Sequence, residues 1–190
     1  RRTTKMPRTA RHLLIAVIMT AAAVGAWPAA AAGDRPIADF FGQYRGKTIS
    51  EAGDELSPRD LDVRIKAEEN GGFSLHWTTV IQRSDGPKHQ SYTINFRPSK
   101  RPSIYGSAMR RDQFNNAVPL DPLKGEPYVW ARILGDTLSV YALLITDEGG
   151  YEIQVYDRTL TPSGMALRFS RIRDGQQLRL ITGEMERVGS

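Results

Sequence analysis

Short stretches in which apolar and polar side chains alternate run along most of this chain. Phe73, Leu75 and Trp77, for example, alternate with the polar residues Ser74 and His76. Because successive side chains of a β-strand point to opposite faces, this period of two predicts half-buried strands. The pattern predicts strands over residues 43–50, 61–68, 73–83, 88–97, 102–108, 126–134, 137–146, 150–160, 164–173 and 177–187.

Turn-forming residues separate the predicted strands, and no segment shows the apolar period of a long helix. The turns lie at residues 70–72, 85–87, 135–136, 148–150, 161–164 and 174–175. Short strands joined by hairpin turns favour an antiparallel meander over a βαβ arrangement. Such a meander closes into an up-and-down barrel or splits into two packed sheets. We predict an all-β protein whose antiparallel up-and-down meander of about eight to ten strands closes into a barrel.

Two short segments carry the pattern of a single helical turn. In residues 34–42, Asp34 can cap the N-terminus, Pro36 suits the first turn and Gly42 can end it. The segment Ser-Pro-Arg-Asp at residues 57–60 has the same cap-then-proline form. We therefore expect a short N-terminal helical turn before the barrel, and the pattern allows a second turn at 57–60.

The first 32 residues carry an export signal behind Met6, with residues 1–5 as upstream residues. Arg8 and Arg11 precede an uncharged apolar stretch at 13–27, and three alanines before Gly33 form a small-residue cleavage site. The apolar stretch is shorter than the ~20 residues of a membrane-spanning helix. We expect a cleaved signal peptide within residues 1–32 and a single β-barrel domain over 33–190. The mature protein is expected to be periplasmic or secreted, without a membrane span.

The charge of the chain lies mostly in that leader. The whole sequence has 26 Lys and Arg against 21 Asp and Glu, but five basic residues and no acidic ones lie within residues 1–32. The remaining domain is formally neutral. Nucleic-acid partners require a net or clustered positive field, so the sequence predicts no nucleic-acid binding.

The sequence lacks the residue patterns of common catalytic and metal sites. It contains no cysteine, which excludes disulfides, thiol catalysis and a lipidated N-terminal cysteine. His76 and His89, the two histidines after the leader, lack ligand spacing. No nucleophile elbow, phosphate-binding loop or dinucleotide fingerprint is present. We predict no catalytic residues, no metal and no cofactor, and hence a protein that is not an enzyme.

Two opposite charges interrupt the apolar face of the hairpin that turns at residues 161–164. If Thr161 pairs with Met165 across a three-residue loop, Asp157 and Arg171 become diagonal neighbours on one face. Buried charges are tolerated when they are paired, so we predict a structural ion pair between Asp157 and Arg171. The pair lies either where the inner face of the barrel meets water or at the base of a ligand cavity.

The predicted strand 137–146 is apolar on both faces, so one face needs a cover outside the barrel wall. The irregular segment 107–127 is the expected cover. Long loops on compact β domains often act as lids or binding loops. The alternative is a structural Ω-loop that packs its apolar side chains onto the barrel, namely Phe114, Val118, Leu120 and Leu123.

Several aromatic side chains lie close to arginines in the sequence. Aromatic rings and guanidinium groups together can hold a ligand with a carboxylate or phosphate head, although the same residues would also suit the rim of a barrel. The predicted ligand-binding residues are Tyr105, Arg110, Arg111, Phe114, Tyr128, Trp130 and Arg132.

The start of the predicted barrel resembles that of the lipocalin/calycin superfamily. A helical turn leads into Gly42-Gln43-Tyr44, where the superfamily has a glycine, any residue and an aromatic residue, usually tryptophan. In that superfamily an arginine late in the chain packs over the aromatic ring; here the candidates are Arg171, Arg173 and Arg187. The resemblance implies an eight-stranded barrel that takes a small apolar or amphipathic ligand through its open mouth.

Three functions follow from these observations. The first is an exported, non-catalytic barrel that binds a small lipophilic or amphipathic ligand. The second is a protein-interaction or structural domain of the cell envelope, with a filled barrel core and an exposed aromatic patch around Tyr105, Tyr128 and Trp130. The third, an enzyme, would need clustered carboxylates or histidines in a cleft, and the sequence gives no sign of them.

Overall fold

The computed structural model describes residues 33–52, 55–81, 86–114 and 116–189, and the side chains of these residues except 49–52, 55–59, 81, 111 and 117. The predicted leader, residues 1–32, lies outside this range. The described chain contains three 3₁₀ turns, η1 (Ile37–Phe40), η2 (Glu69–Gly71) and η3 (Pro122–Lys124). The strands are β1 (Gly42–Ala52), β2 (Glu55–Ala67), β3 (Phe73–Ile81), β4 (Lys88–Pro98), β5 (Ile104–Ser107), β6 (Arg110–Arg111), β7 (Ala117–Val118), β8 (Tyr128–Leu134), β9 (Thr137–Ile145), β10 (Tyr151–Leu160), β11 (Gly164–Arg173) and β12 (Gln176–Gly189).

Ten of these strands form one closed antiparallel barrel. Its order is β1-β2-β3-β4-β5-β8-β9-β10-β11-β12, and β12 pairs back onto β1. Strands β6 and β7 form a separate two-stranded hairpin inside the segment 107–127. The all-β, up-and-down prediction is confirmed, and the chain closes as a barrel. The barrel has ten strands, whereas the family resemblance implied eight. No helix of the described residues has the length and apolar character needed to cross a membrane.

The predicted turn at residues 57–60 is wrong, because these residues belong to β2. Pro58 lies opposite Ile49 of β1, and β2 begins to pair with β3 only at Arg59. Pro58 therefore has a strand neighbour on one side. A proline, which has no N–H to donate, is tolerated at such a position.

The seam between β1 and β12 closes the barrel and requires glycine. A Cβ atom at Gly46 would collide with the backbone carbonyl of Glu184. A Cβ atom at Gly183 would lie 2.6 Å from the carbonyl oxygen of Lys47. The two backbones approach so closely that larger residues would push the strands apart.

One end of the barrel is covered by η1. Phe40 of this turn is fully buried, and the Tyr44 hydroxyl donates a hydrogen bond to the Phe40 carbonyl (2.9 Å). The Arg187 guanidinium lies 5.1 Å from the Tyr44 ring centre and donates to the carbonyls of Asp39 (2.8 Å) and Phe41 (3.1 Å). Of the three candidate arginines, Arg187 is therefore the one that packs over Tyr44.

The inward side chains next to η1 pack against one another in a buried apolar cluster. Phe73 stacks on Phe96 at 4.7 Å between ring centres and meets the edge of Tyr105 at 5.1 Å. We call this end the closed half of the barrel; its buried side chains include Phe40, Tyr44, Val63, Ile65, Phe73, Leu75, Phe96, Ala131, Ile133, Leu138, Met165 and Met185.

The predicted N-terminal turn is confirmed, but Asp34 does not cap it. The N-cap of η1 is Pro36, which makes no side-chain capping bond. Asp34 lies too early in the chain, and its carboxylate instead accepts a hydrogen bond from the backbone N–H of Gly135 (3.0 Å). Arg35 donates to Asp136 in the same β8–β9 turn (2.7 Å). These bonds fix the segment before η1 to the closed end of the barrel.

Candidate ligand-binding cavity

The other half of the barrel is hollow. A cavity of about 400 Å³ lies between the closed half and the end that carries the β9–β10 and β11–β12 turns. We call this the hollow half. Its lining consists mainly of aromatic and aliphatic side chains with a few polar ones: Thr48, Leu61, Trp77, Thr79, Gln90, Tyr92, Ile94, Pro127, Val129, Val140, Ala142, Leu144, Gln154, Tyr156, Arg158, Leu167, Phe169, Arg179 and Ile181.

The cavity opens to solvent beside β4. This strand pairs with β5 only through Phe96–Pro98, so within the described chain the residues before Phe96 have no strand partner on that side. Tyr92 lies in this stretch and is 52% exposed although it lines the cavity. Its ring stacks on Trp77 at 5.3 Å. The opening is therefore edged by an aromatic pair.

Arg158 lies at the inner end of the cavity, next to the closed half. It is 2% exposed, and its neighbours across the sheet are Leu138 and Leu167. The guanidinium carbon lies 5.9 Å from the Trp77 ring centre and 5.7 Å from that of Tyr156. Its Nε and Nη1 atoms have no hydrogen-bond partner. Burial lowers the Arg158 pKa to about 10, so the side chain stays charged at neutral pH.

A hydrogen-bonded chain runs from Tyr156 towards the outer end of the barrel. The Tyr156 hydroxyl donates to Gln154 Oε1 (3.1 Å), and Gln154 Nε2 donates to Glu152 Oε1 (2.8 Å). The other oxygen of the buried Glu152 carboxylate accepts bonds from Arg171 (2.7 Å) and Arg173 (3.0 Å). The hydrogen bond from Arg171 holds the pKa of Glu152 at about 2, well below its usual range. Glu152 is therefore ionised, and both of its carboxylate oxygens accept hydrogen bonds from neighbouring side chains.

The cavity and this chain of hydrogen bonds carry a positive charge. Their described side chains include one carboxylate, Glu152, and four arginines: Arg158, Arg171, Arg173 and Arg179. A low-dielectric interior strengthens such a field. The site is therefore suited to a ligand with a negative charge.

The predicted ion pair between Asp157 and Arg171 is wrong, because the two residues lie on opposite faces of the barrel wall. The hairpin turn has two residues: Thr161 and Gly164 exchange both backbone hydrogen bonds. Gly164 does not take the positive φ that a three-residue loop requires. The register is thus shifted by one residue, with Leu160 opposite Met165, and such a shift reverses every side chain.

Each of these charges has another partner. Asp157 points outward, accepts a hydrogen bond from the Ser139 hydroxyl (2.6 Å) and lies 3.8 Å from Arg168. Arg171 points inward and binds Glu152. Arg171 therefore lies inside the barrel, whereas Asp157 lies on its outer surface.

None of the predicted ligand-binding residues whose side chains are described lines the cavity. Tyr105 packs in the closed half. Tyr128, Trp130 and Arg132 point outward from β8. Trp130 stacks on the outward Tyr141 of β9 at 4.9 Å. We call the outward apolar surface of β8, β9 and β10 the outer aromatic patch; it consists of Tyr128, Trp130, Tyr141, Leu143, Ile145, Tyr151, Ile153 and Val155.

The segment 107–127 covers β9 only in part. Its turn η3 lies against β9. Phe114 and Leu123, however, are 74% and 83% exposed, so the alternative of an Ω-loop that packs its apolar side chains onto the barrel is wrong for these two residues. Val118 and Leu120 are half-buried. Arg110 donates to Glu126 within the segment (3.0 Å), and the side chain of Arg111 lies outside the described residues.

Sequence reasoning missed the residues that form the cavity, above all Trp77, Tyr156, Arg158 and Phe169. The sequence pattern that could have identified them is the alternation of side chains, once the pairing of β10 with β11 shows which face of β10 points inward. Within the described residues no group of three His, Asp or Glu side chains is placed to hold a metal ion.

Comparison with known proteins supports the fold. No family model matches this chain, and a search of curated proteins finds no match. Among solved structures, the chain is similar to a protein of unknown function from the DUF3598 family of Nostoc punctiforme, with a TM-score of 0.51 and 17% sequence identity. The similarity covers 82% of this chain and 51% of that one, so this chain spans about half the length of its structural neighbour. At such low identity the likeness concerns the fold alone.

Proposed function

We propose that this protein is an exported, non-catalytic, lipocalin-like barrel that binds a small lipophilic or amphipathic ligand. The observation that carries the proposal is the cavity of about 400 Å³ in the hollow half. Its volume falls in the usual range for small-molecule sites, and its lining combines apolar walls with a few polar groups, as such sites do.

The cavity is better explained as a binding site than as a defect in packing. Protein interiors are normally close-packed, and the closed half of this barrel buries large side chains such as Phe40, Phe73 and Phe96. A void of this size forfeits many van der Waals contacts. The residues around it, such as Trp77, Tyr156 and Phe169, are large enough to fill a core, yet they stand around a space. The opening beside Tyr92 gives a ligand access to that space.

The lipocalin-like part of the proposal rests on the covered end of the barrel. The helical turn, Tyr44 and the packing Arg187 are arranged as the family resemblance implies. The ten strands depart from the eight that it implies. Export rests on the pattern of residues 6–32; N-terminal sequencing of the protein isolated from cells should begin at Gly33.

The decisive experiment is organic extraction of the purified protein followed by mass spectrometry, together with titration of an apolar fluorescent probe. We expect a bound small molecule and saturable probe binding. Ala142→Phe places a ring in the cavity and should weaken probe binding at least tenfold, by filling the site. Ala166→Phe adds the same ring on the outer surface and serves as the control. Absence of both an extracted compound and probe binding would overturn the proposal.

A second candidate function is interaction with another protein of the cell envelope. The observation that favours it is the outer aromatic patch, since extended apolar surfaces often mark protein interfaces. Leu143→Glu in the centre of the patch should abolish a specific complex and leave probe binding in the cavity unchanged. If the wild-type protein and the variant recover the same partners from envelope extracts, this candidate is wrong.

A further inference from the structure

We propose that the ligand of the cavity is an amphipathic monoanion whose carboxylate binds Arg158 at the inner end, with its apolar part towards the opening. This inference rests on the proposed function and specifies the ligand class. Three features of the structure support it: a buried cation without a counter-ion, its position in the cavity, and the apolar walls between it and solvent.

Arg158 has no anionic partner in the protein. Among the described side chains no carboxylate forms an ion pair with it, and its Nε and Nη1 atoms have no hydrogen-bond partner. The adjacent Asp157 faces outward, and Glu152 is already bound by Arg171 and Arg173. A buried charge is destabilising unless it is paired, so the fold leaves a group that an anion would satisfy.

The aromatic rings near Arg158 do not replace a counter-ion. The ring faces of Trp77 and Tyr156 attract the cation and restrict its position. The N–H donors of a guanidinium, however, lie in its plane and need oxygen acceptors. A carboxylate presents two such oxygens in matching geometry. The rings thus position the guanidinium, and the donors remain available to a ligand.

The position of Arg158 sets the orientation of the ligand. The residue lies beside the closed half, whereas the opening is at Tyr92. Apolar lining residues, among them Ile94, Ala142 and Phe169, belong to the same cavity. The charged head therefore goes in first and the apolar part fills the space behind it. Arg171 and Arg173 bind Glu152, and Arg179 lies near the β11–β12 turn, so Arg158 is the one described cation at the inner end of the cavity. One positive charge at that end favours a carboxylate over a phosphate monoester, whose charge is about −1.5 to −2 at pH 7.

The test compares three head groups on one chain by isothermal titration of the purified full chain: dodecanoate, dodecan-1-ol and dodecylamine. We expect dodecanoate to bind about 10- to 100-fold more tightly than dodecan-1-ol, as for a charge-assisted hydrogen bond, and dodecylamine to bind most weakly. Arg158→Met should remove the preference for dodecanoate and leave dodecan-1-ol affinity within about threefold. Arg168→Met removes an outward arginine from the same hairpin and should change neither affinity.

The outcomes separate this inference from the proposed function. Equal binding of dodecanoate and dodecan-1-ol would overturn the role of Arg158 and leave the proposed function intact. If none of the three compounds binds, the inference is wrong, and organic extraction with the apolar probe then decides the proposed function separately. Tighter binding of dodecyl phosphate than of dodecanoate would overturn the assignment of a monoanion. Should Arg158→Met fail to fold, Arg158→Lys decides: it should keep a preference for dodecanoate but a weaker one, because a lysine lacks the planar donor fork.

Discussion

The closed and hollow halves of the barrel are built from the same strands, but their inward positions carry different side chains. Along β3 the inward residues pass from Phe73 and Leu75 in the closed half to Trp77 and Thr79 in the hollow half. Along β10 they pass from Leu160 to Arg158, Tyr156 and Gln154. The inward faces of β3 and β10 thus change from purely apolar to amphipathic along their length.

This difference separates stability from binding within one sheet. The closed half buries large apolar side chains completely, and burial of that kind is the main favourable term in folding. The hollow half forgoes part of this packing and holds polar and charged groups in fixed positions. Packing in the closed half can therefore stabilise the whole barrel, although the residues around the cavity contribute little to the free energy of unfolding.

The largest predicted effect is the difference between two matched phenylalanine truncations. Phe73→Ala removes a fully buried ring that contacts Phe96 and Tyr105 and should lower the free energy of unfolding by about 4 kcal/mol. Phe169→Ala removes a half-buried ring at the cavity wall, where space already exists, and should cost about 1–2 kcal/mol. Urea unfolding measures both. Equal losses would mean that the two halves are packed alike.

The next effect concerns the pH dependence of stability at the outer end of the hollow half. The pKa of Glu152 is about 2 in the folded protein, against 4.5 for an unperturbed glutamate. Because the folded state favours the ionised form, the stabilisation is fully present above pH 4.5 and is lost as the pH falls to 2. Since Arg171 and Arg173 are partly exposed, we expect about 2 kcal/mol.

Glu152→Gln isolates that contribution from those of the other acids. The variant should be less stable than the wild type by about 2 kcal/mol at pH 6, and the two should converge near pH 2. Glu184→Gln, at an exposed position on the outer surface, is the matched control and should follow the wild type at both values. A constant difference between Glu152→Gln and the wild type across this range would contradict the prediction.

The strands were predictable because their signals are local. Alternation and turn residues placed all ten barrel strands, and the predicted bounds of β11, 164–173, are those observed. The face of a strand is not local information. In β10 both faces carry apolar residues, and Tyr151, Ile153 and Val155, which share a face with Asp157, form part of the outer aromatic patch. One misjudged residue in the turn at 161–164 therefore reversed the assignment of the whole strand.

The cavity could not be predicted for a related reason. In the sequence nothing distinguishes Arg158 from the outward Arg168, because only pairing across the sheet shows which one is buried. Likewise Trp130 and Arg132, two residues apart in β8, share a face, but that face is the outer one. Proximity in sequence identified aromatic and basic neighbours without showing on which side of the wall they lie.

A smaller effect is expected at the covered end of the closed half. Arg187→Met removes the contact with the Tyr44 ring and the hydrogen bonds to the carbonyls of Asp39 and Phe41. We expect a loss of about 1–2 kcal/mol, measured by urea unfolding. Arg168→Met, which removes an exposed arginine, should change stability by less than about 0.5 kcal/mol. Unchanged stability of Arg187→Met would show that η1 is held by Phe40 alone.

The smallest predicted effect has the opposite sign and lies at the boundary between the two halves. Without ligand, Arg158→Met should raise the free energy of unfolding by about 1 kcal/mol. The substitution removes a buried charge that no protein group pairs, and this gain exceeds the loss of the contacts with Trp77 and Tyr156. The folded-state pKa of Arg158, about 10, is below that of an unperturbed arginine, so burial destabilises the charged form and the gain should shrink as the pH rises above 10. Urea unfolding at pH 7 and pH 11 measures the gain at both values. A clear loss of stability at pH 7 would mean that Arg158 stabilises the folded barrel and that its burial serves the core rather than a ligand.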